Sequence, residues 1–429
     1  MFEIEEKLNI SDFSFQKAEE CHLAEMKILW TLCFPEDLLS GFTDFYFAEC
    51  YDKNSAYVAL YENKVCAMAY APLMDYRFYN KDFKVPYIQG VATHPDFRNF
   101  GIANSLLKYV LYDLHNQGVP FGILKPFNVQ FYQKSGWQVF ANLAEVNLKT
   151  IPHLKNPKNY KQMEIRLLTK DNYKEHLFDI SAVYEYWQQN LNNNYALRSL
   201  KDWELLLADH FNDGGLVAGV FVKDRMLAYA LFMESLPSNV ENIKDTEELL
   251  SEVLLRETAF TNGSALQFLL KNFKDYSEKE NKSQLKALIS HLNLNTEKDN
   301  VFKKNVILHL PINQKLTTDF SVIPFGMLRI INVETLLSAM NLKFLPGENL
   351  KFLFHDSVIK KSSGLYALSG NDNYCHCEKI YGISQYNGSE IIYPQIDANL
   401  LTTLLAQCYN FYGGGKNSIG RSYFNDYFR

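Results

Sequence analysis

From Ile102 onward the apolar residues Leu106, Leu107, Val110, Leu111 and Leu114 return every three or four positions. That is the spacing of one buried helix face, and Gly118 stands where such a helix would end. On either side the pattern changes to strand-like runs. Residues 57–61 and 65–70 are rich in Tyr, Val, Ala and Met, and Glu62-Asn63-Lys64 between them reads as a hairpin turn. The run over 87–93 predicts a third strand leading straight into the helix. Residues 119–124 read as another buried strand, 128–134 as a short helix, and 137–148 alternate like a final strand.

Further on, residues 152–161 are basic, proline-containing and aperiodic, which predicts a linker. A strand follows at 164–168. Helical spacing then runs through Tyr184, Trp187 and Leu191, and again through Trp203, Leu206 and Leu207. The runs 217–222 and 226–233 form a second hairpin around Lys223-Asp224-Arg225, so helix and hairpin recur in the order of the first part. The pattern predicts a helix over 283–294 and a strand over 302–310. A third unit opens near Phe325 with the run 326–333 and a helix over 334–340. Strands at 351–354, 364–368 and 390–393 follow, and then a helix over 398–408.

A chain of 429 residues has room for two or three domains with ample core. Its net charge of −6 argues against nucleic acid or an anionic membrane as the main partner. The sequence holds no apolar run of about 18 residues and no signal-like start, so a cytoplasmic location is expected. Seven cysteines, an odd number without a framework, fit reduced thiols. Cys375-His-Cys377 has metal-binding residue types, but no second pair lies at finger spacing, and alternation would place both thiols on one packed face of a strand. No metal is expected.

The chemistry concentrates in Val91-Ala-Thr-His-Pro-Asp-Phe-Arg-Asn-Phe-Gly-Ile-Ala103. A strand here ends in a turn carrying Arg98-x-x-Gly101-x-Ala103 at a helix start. Small residues let a phosphate approach the backbone, and the helix offers free N–H groups with a dipole of roughly +0.5 charge. Arg98 adds a charged contact. This turn resembles motif A of the GNAT N-acetyltransferases, whose ligand is acetyl-CoA. No comparable turn occurs over 162–322.

The three-part order resembles the Eis (enhanced intracellular survival) family. That resemblance rests on residues 91–103, on Phe131-Tyr-Gln-Lys-Ser-Gly-Trp137, on Tyr184-x-x-Trp187-x-Gln189 with Leu197-Arg198 and Trp203, and on Leu328-Arg-Ile-Ile-Asn-Val333. It implies an α/β (α+β) chain with a catalytic GNAT domain over 1–151, a degenerate GNAT-like domain over 162–322 and a sterol-carrier-protein-like α/β domain over 323–429. It also implies direct transfer of acetyl from acetyl-CoA to a primary amine of a cationic small molecule, and a homohexamer built as a trimer of dimers.

By the same resemblance Val91, Ala92 and Thr93 hold the pantetheine. Arg98, Asn99, Phe100, Gly101, Ile102, Ala103 and Asn104 surround the pyrophosphate, and Phe127 and Asn128 form the opposite wall. Tyr132 matches the family's general acid for the departing thiolate. The family's base is the carboxylate of the last residue, here Arg429, where relatives typically end on an aromatic residue. Glu36, Asp37 and Asp426 are candidate anionic contacts for the amine, with Phe34 and Tyr46 as candidate pocket aromatics. Two other readings remain: transfer to protein lysines, and an apolar-ligand carrier with a vestigial transferase site.

Overall fold

The computed structural model describes residues 8–78, 81–151, 154–191, 194–235, 252–282, 284–289, 306–308, 316–318, 320–340, 349–370, 375–382 and 395–407. As far as these go, the chain forms two compact units. One takes in Met1–Ala141 and Pro324–Gly413, and the other Asn142–Ile323.

The first unit begins with β1 (Ser14–Lys17), α1 (Leu23–Cys33), α2 (Pro35–Leu39) and α3 (Phe42–Phe45). The strands β2 (Ala56–Tyr61) and β3 (Lys64–Tyr70) then close on the two-residue turn Glu62-Asn63, both of which have positive φ. That conformation matches the twist of a tight hairpin, and asparagine tolerates it well. Next come β4 (Leu73–Phe78), the long β5 (Lys81–Thr93), α4 (Ile102–Asn116), β6 (Phe121–Leu124), α5 (Val129–Gln133) and β7 (Gln138–Asn147). The expected face of α4 is the buried one: Ile102, Leu106, Leu107, Val110, Leu111 and Leu114 are all enclosed. Gly118, at φ +74°, turns the chain away after the helix.

The second unit holds β8 (Glu164–Leu168), α6 (Leu177–Leu191), β9 (Asn194–Ala196), α7 (Leu200–Asn212), β10 (Leu216–Val222), β11 (Arg225–Ser235), β12 (Glu252–Phe260), α8 (Gly263–Lys279) and β13 (Gln284–Ile289). Its sheet runs β8-β10-β11-β12-β13 and ends on the second half of β7. At its centre Arg198 donates to both Glu257 oxygens, at 2.9 and 2.8 Å. The same guanidinium lies 4.4 Å from the Tyr184 ring centroid and 4.5 Å from that of Trp203. The Tyr229 hydroxyl donates to Glu257 at 2.6 Å. The aromatic motif singled out in the sequence is therefore a buried packing network around a paired charge.

One prediction fails here. Residues 284–289 form a strand, where the pattern over 283–294 predicts a helix; 290–294 lie outside the described residues. Leu285 and Ala287 face inward, while Lys286 pairs with Glu252 at 2.6 Å. That is a period of two, and parallel pairing with β12 stabilises it against the helical propensity of Gln, Leu, Lys and Ala.

A two-stranded ladder, β14 (Val306–Leu308) with β15 (Leu316–Thr318), precedes β16 (Phe320–Ile330), whose later half returns to the first unit. There Met327 to Ile330 pair antiparallel with β6. After α9 (Val333–Ala339) come β17 (Asn349–His355), β18 (Gly364–Gly370), β19 (Cys375–Gly382), β20 (Gln395–Asp397) and α10 (Ala398–Gln407). The four strands form a separate sheet ordered β19-β18-β17-β20. On β19 both thiols are buried and His376 is exposed, the alternation expected of a packed strand. The predicted strand at 390–393 lies outside the described residues.

Candidate active site

The site grows from an interruption in β5. Tyr70 pairs with Gln89 and Met68 with Ala92, so Gly90 and Val91 together face the single residue Ala69. This is a β-bulge, and Gly90 at φ +55° makes it possible. A Cβ at Gly90 would lie 2.6 Å from the Trp30 ring and 2.7 Å from that of Tyr70, so glycine also admits the aromatic cluster beneath. That cluster includes Trp30 stacked on Tyr46 at 4.7 Å.

On its other edge β5 runs parallel to β6, but the pairing covers only Tyr87 with Ile123 and Ile88 with Leu124. β6 then ends and β5 continues to Thr93. Residues 89–93 thus extend past their neighbour with backbone groups left on one edge. An extended amide-bearing chain such as pantetheine can pair there as an added strand would.

The strand feeds a turn shaped for an anion. His94 Nδ1 accepts from the Asp96 N–H at 3.3 Å, and Arg98 Nε donates to the Thr93 carbonyl at 3.3 Å. Asn99 (φ +71°) and Gly101 (φ +79°) adopt left-handed conformations on either side of the exposed Phe100. Gly101 is the N-cap of α4 and provides no side-chain cap, so the amides of Ile102, Ala103 and Asn104 keep no partner within the helix. The strand-to-helix turn of the second unit, between β12 and α8, is closed instead: Asn262 accepts from the Ala265 N–H at 3.0 Å. Near the open turn, Thr93 Oγ1 and Asn104 Oδ1 are buried atoms without hydrogen-bond partners among the described residues. Orphaned groups at the end of an unpaired strand and at an uncapped helix fit a polar, phosphate-bearing ligand.

Across the gap, Asn128 caps α5 by accepting from the Phe131 N–H at 3.1 Å, and Phe127 is 72% exposed beside it. Tyr132 is buried, 4% exposed, among Phe131, Phe127 and Trp137, with ring centroids 5.0, 5.4 and 6.3 Å away. It belongs to the same apolar cluster as Ile88, Phe97, Ile102 and Leu124. Burial is the one cause acting on its phenol, and it pushes the hydroxyl above the usual tyrosine range.

The residue just before the acceptor-side candidates touches the strand end. The Cys33 thiol, at the close of α1, donates to the Thr93 carbonyl at 3.5 Å, and burial raises its pKa against the pull of Arg98. Glu36 and Asp37 follow in the first turn of α2. Glu36 is exposed, whereas Asp37 accepts from the Trp30 indole N–H at 3.0 Å and so serves the aromatic cluster. Tyr46 is buried, with Gln89 donating to its hydroxyl at 3.0 Å, and Phe34 is half-buried. Asp426 and Arg429 lie outside the described residues. Gly90 escaped the motif reading, although an isolated glycine inside a strand-like run is itself a bulge signal.

Residues 14–140 match the family of acetyltransferase (GNAT) domains. The chain therefore carries a GNAT acetyltransferase domain and is an acyltransferase. No curated protein sequence matches it. Among solved structures it is similar to a conserved protein from Enterococcus faecalis V583 designated a probable N-acyltransferase. The TM-score is 0.69 at 16% identity, over 97% of this chain and 100% of the other. It is also similar to a GCN5-related N-acetyltransferase from Anabaena variabilis ATCC 29413, with a TM-score of 0.63 at 18% identity over 92% and 90%. Eis1 from Mycobacterium abscessus follows with a TM-score of 0.58 at 14% identity, again over 92% and 90%. At these identities the likeness is one of fold, and it extends along nearly the whole chain.

Proposed function

We propose that this enzyme is an acetyl-CoA-dependent N-acetyltransferase that moves acetyl directly to a primary amine of a cationic small molecule. The acceptor class is aminoglycoside-like, polyamine-like or lysine-type. One observation carries the reading: the bulged strand end at 89–93 runs past β6 and delivers the chain to the uncapped start of α4. Val91, Ala92 and Thr93 would pair with the pantetheine and polarise the thioester carbonyl. Arg98 to Asn104 would hold the pyrophosphate, with Phe127 and Asn128 on the facing wall.

Attack by the amine leaves charge on the sulfur of the departing thiol. An unperturbed thiol has a pKa of about 8.5 and an unperturbed tyrosine about 10, so full proton transfer from Tyr132 is uphill. Burial raises the phenol further, and it keeps its proton throughout the neutral range. Its role is a hydrogen bond that strengthens as the sulfur gains charge. The acceptor ammonium must lose a proton before it can attack. The family resemblance gives that task to the terminal carboxylate, on Arg429. With Asp37 engaged by Trp30, Glu36 is the leading anionic contact for the amine, joined by Asp426 near the terminus.

The same reading takes 162–322 as a degenerate GNAT-like domain without its own acetyl-CoA site, and 323–429 as a sterol-carrier-like domain. It makes the assembly a hexamer in the cytoplasm. Among the described residues no helix is long and apolar enough to cross a membrane.

A panel of amines supplied with acetyl-CoA, read by release of free thiol, tests the proposal. Turnover with small polyamines or aminoglycosides supports it. Turnover with protein lysines alone moves the assignment to a protein acetyltransferase. No turnover with either, together with uptake of an apolar ligand, replaces it with the carrier reading.

A further inference from the structure

Arg329 joins two stretches of chain far apart in sequence. It lies on β16, inside Leu328-Arg-Ile-Ile-Asn-Val333, and its side chain is wholly buried. Nη2 donates to both carboxylate oxygens of Asp356, each at 2.7 Å, and Nη1 donates to the Ile330 carbonyl. Nε donates to the Ser135 carbonyl at 2.9 Å. Asp356 is fixed in turn: its Oδ1 accepts from the N–H groups of Val358 at 2.9 Å and Ile359 at 2.8 Å, and its own N–H donates to Ser363 Oγ at 2.8 Å. A planar fork uses its directions fully in such a place, and lysine cannot reproduce them.

Ser135 belongs to the turn that ends α5, the helix of Tyr132. The Ser135 N–H donates to the Tyr132 carbonyl at 2.9 Å, and the Trp137 N–H reaches the same oxygen at 3.4 Å. Gly136, at φ +85°, sits against the guanidinium; a Cβ there would lie 2.5 Å from Arg329 Nε. The Tyr132 carbonyl, the Ser135 peptide, Arg329 and Asp356 therefore form one continuous hydrogen-bonded run. α5 has only five residues, too few to hold itself rigid. Its anchor comes from the last third of the chain.

We propose that Arg329 is a positioning residue for acetyl transfer. By gripping the Ser135 carbonyl against Asp356 it fixes the turn that aims the Tyr132 hydroxyl at the departing sulfur. The inference rests on the role given to Tyr132 above, and it adds a function for the C-terminal segment that no ligand in that segment is needed to explain.

A double-mutant cycle tests it. Arg329→Lys keeps the charge beside Asp356 but cannot span both partners. It should lower kcat about tenfold or more while KM for acetyl-CoA stays within about twofold. In a Tyr132→Phe background the same change should cost less than about twofold, because the hydroxyl it serves is gone. Asp356→Asn, which keeps the size and one acceptor, goes through the same cycle and decides the matter if Arg329→Lys does not fold. Equal losses in both backgrounds would show a merely structural residue and overturn the proposal, as would unchanged turnover in the single variants. Wild-type turnover in Tyr132→Phe alone is a different failure, since it removes the assignment of Tyr132 itself.

Discussion

Gly90→Ala puts a single methyl group under the strand of the candidate site. Alanine at φ +55° costs roughly 1–2 kcal/mol in the backbone. The new Cβ would also stand 2.6 and 2.7 Å from the Trp30 and Tyr70 rings, which are locked in stacked and edge-on contacts with Tyr46 and cannot swing away. Overpacking of that kind costs about 1–3 kcal/mol more. A total near 3 kcal/mol lowers the melting temperature by roughly 6–12 °C. Gly118→Ala is the control: φ is +74° but nothing lies within 4 Å of the added Cβ, so only the backbone cost of roughly 1–2 kcal/mol remains. If the strand relieves the clash by shifting toward the cleft, Val91 to Thr93 move with it, and kcat/KM for acetyl-CoA should fall by about 10–100-fold. Thermal melts and thiol-release kinetics on both variants read the two effects. Should Gly90→Ala melt together with Gly118→Ala, the aromatic floor yields freely and the bulge does not depend on glycine for space.

Gly101→Glu places bulk and negative charge at the uncapped end of α4, and calorimetry should find acetyl-CoA binding abolished from one site per chain; a second site, or unchanged affinity, refutes the anion turn. Tyr132→Phe keeps the ring packed against Phe131 and Trp137, so stability should hold within about 1 kcal/mol while kcat drops about 100-fold at unchanged acetyl-CoA affinity. In the second unit, burial lowers the His210 imidazole to about 4, with Nε2 donating to the Leu216 carbonyl at 3.0 Å. The unfolded chain takes up that proton near pH 6.5, so the contribution of His210 is intact above 6.5 and is lost as pH falls through 4, by roughly 3 kcal/mol. Urea midpoints measured across that window should flatten in His210→Gln, and an identical slope would remove His210 from the acid sensitivity.

The sequence made the catalytic unit legible wherever one local rule controlled the outcome. α4 declared itself because six apolar residues fall on one face, and the hairpin at 62–63 because Asn sits where φ must be positive. The open turn before α4 was visible because Arg98, Gly101 and Ala103 stand within six positions of each other. Residues 284–289 misled because their propensity is helical, while the forces that made them a strand lie in β12 and β7, far away in sequence. Arg329 shows the same limit at the site. Its motif could be read, but not its partners, since Ser135 stands 194 residues before it and Asp356 another 27 after it. The sequence offered Asp37 as an anionic contact, but not that the indole N–H of Trp30 donates to it at 3.0 Å. Paired polar atoms are a property of the folded arrangement, and neither spacing nor composition encodes them.

The return of β16 to β6 has a consequence for how the enzyme is made. Translation delivers residues 1–141 first, and about 180 residues must follow before Met327 to Ile330 exist to pair with the open edge of β6. At about 5–20 residues per second that interval lasts roughly 10–40 seconds. Throughout it the nascent catalytic half presents an unpaired strand edge and an empty place beside Ser135, while the middle of the chain is free to fold. An unpaired edge is a template for other strands. The newborn protein is therefore most prone to association in this window, and its catalytic half is complete only when the last third of the message has been read.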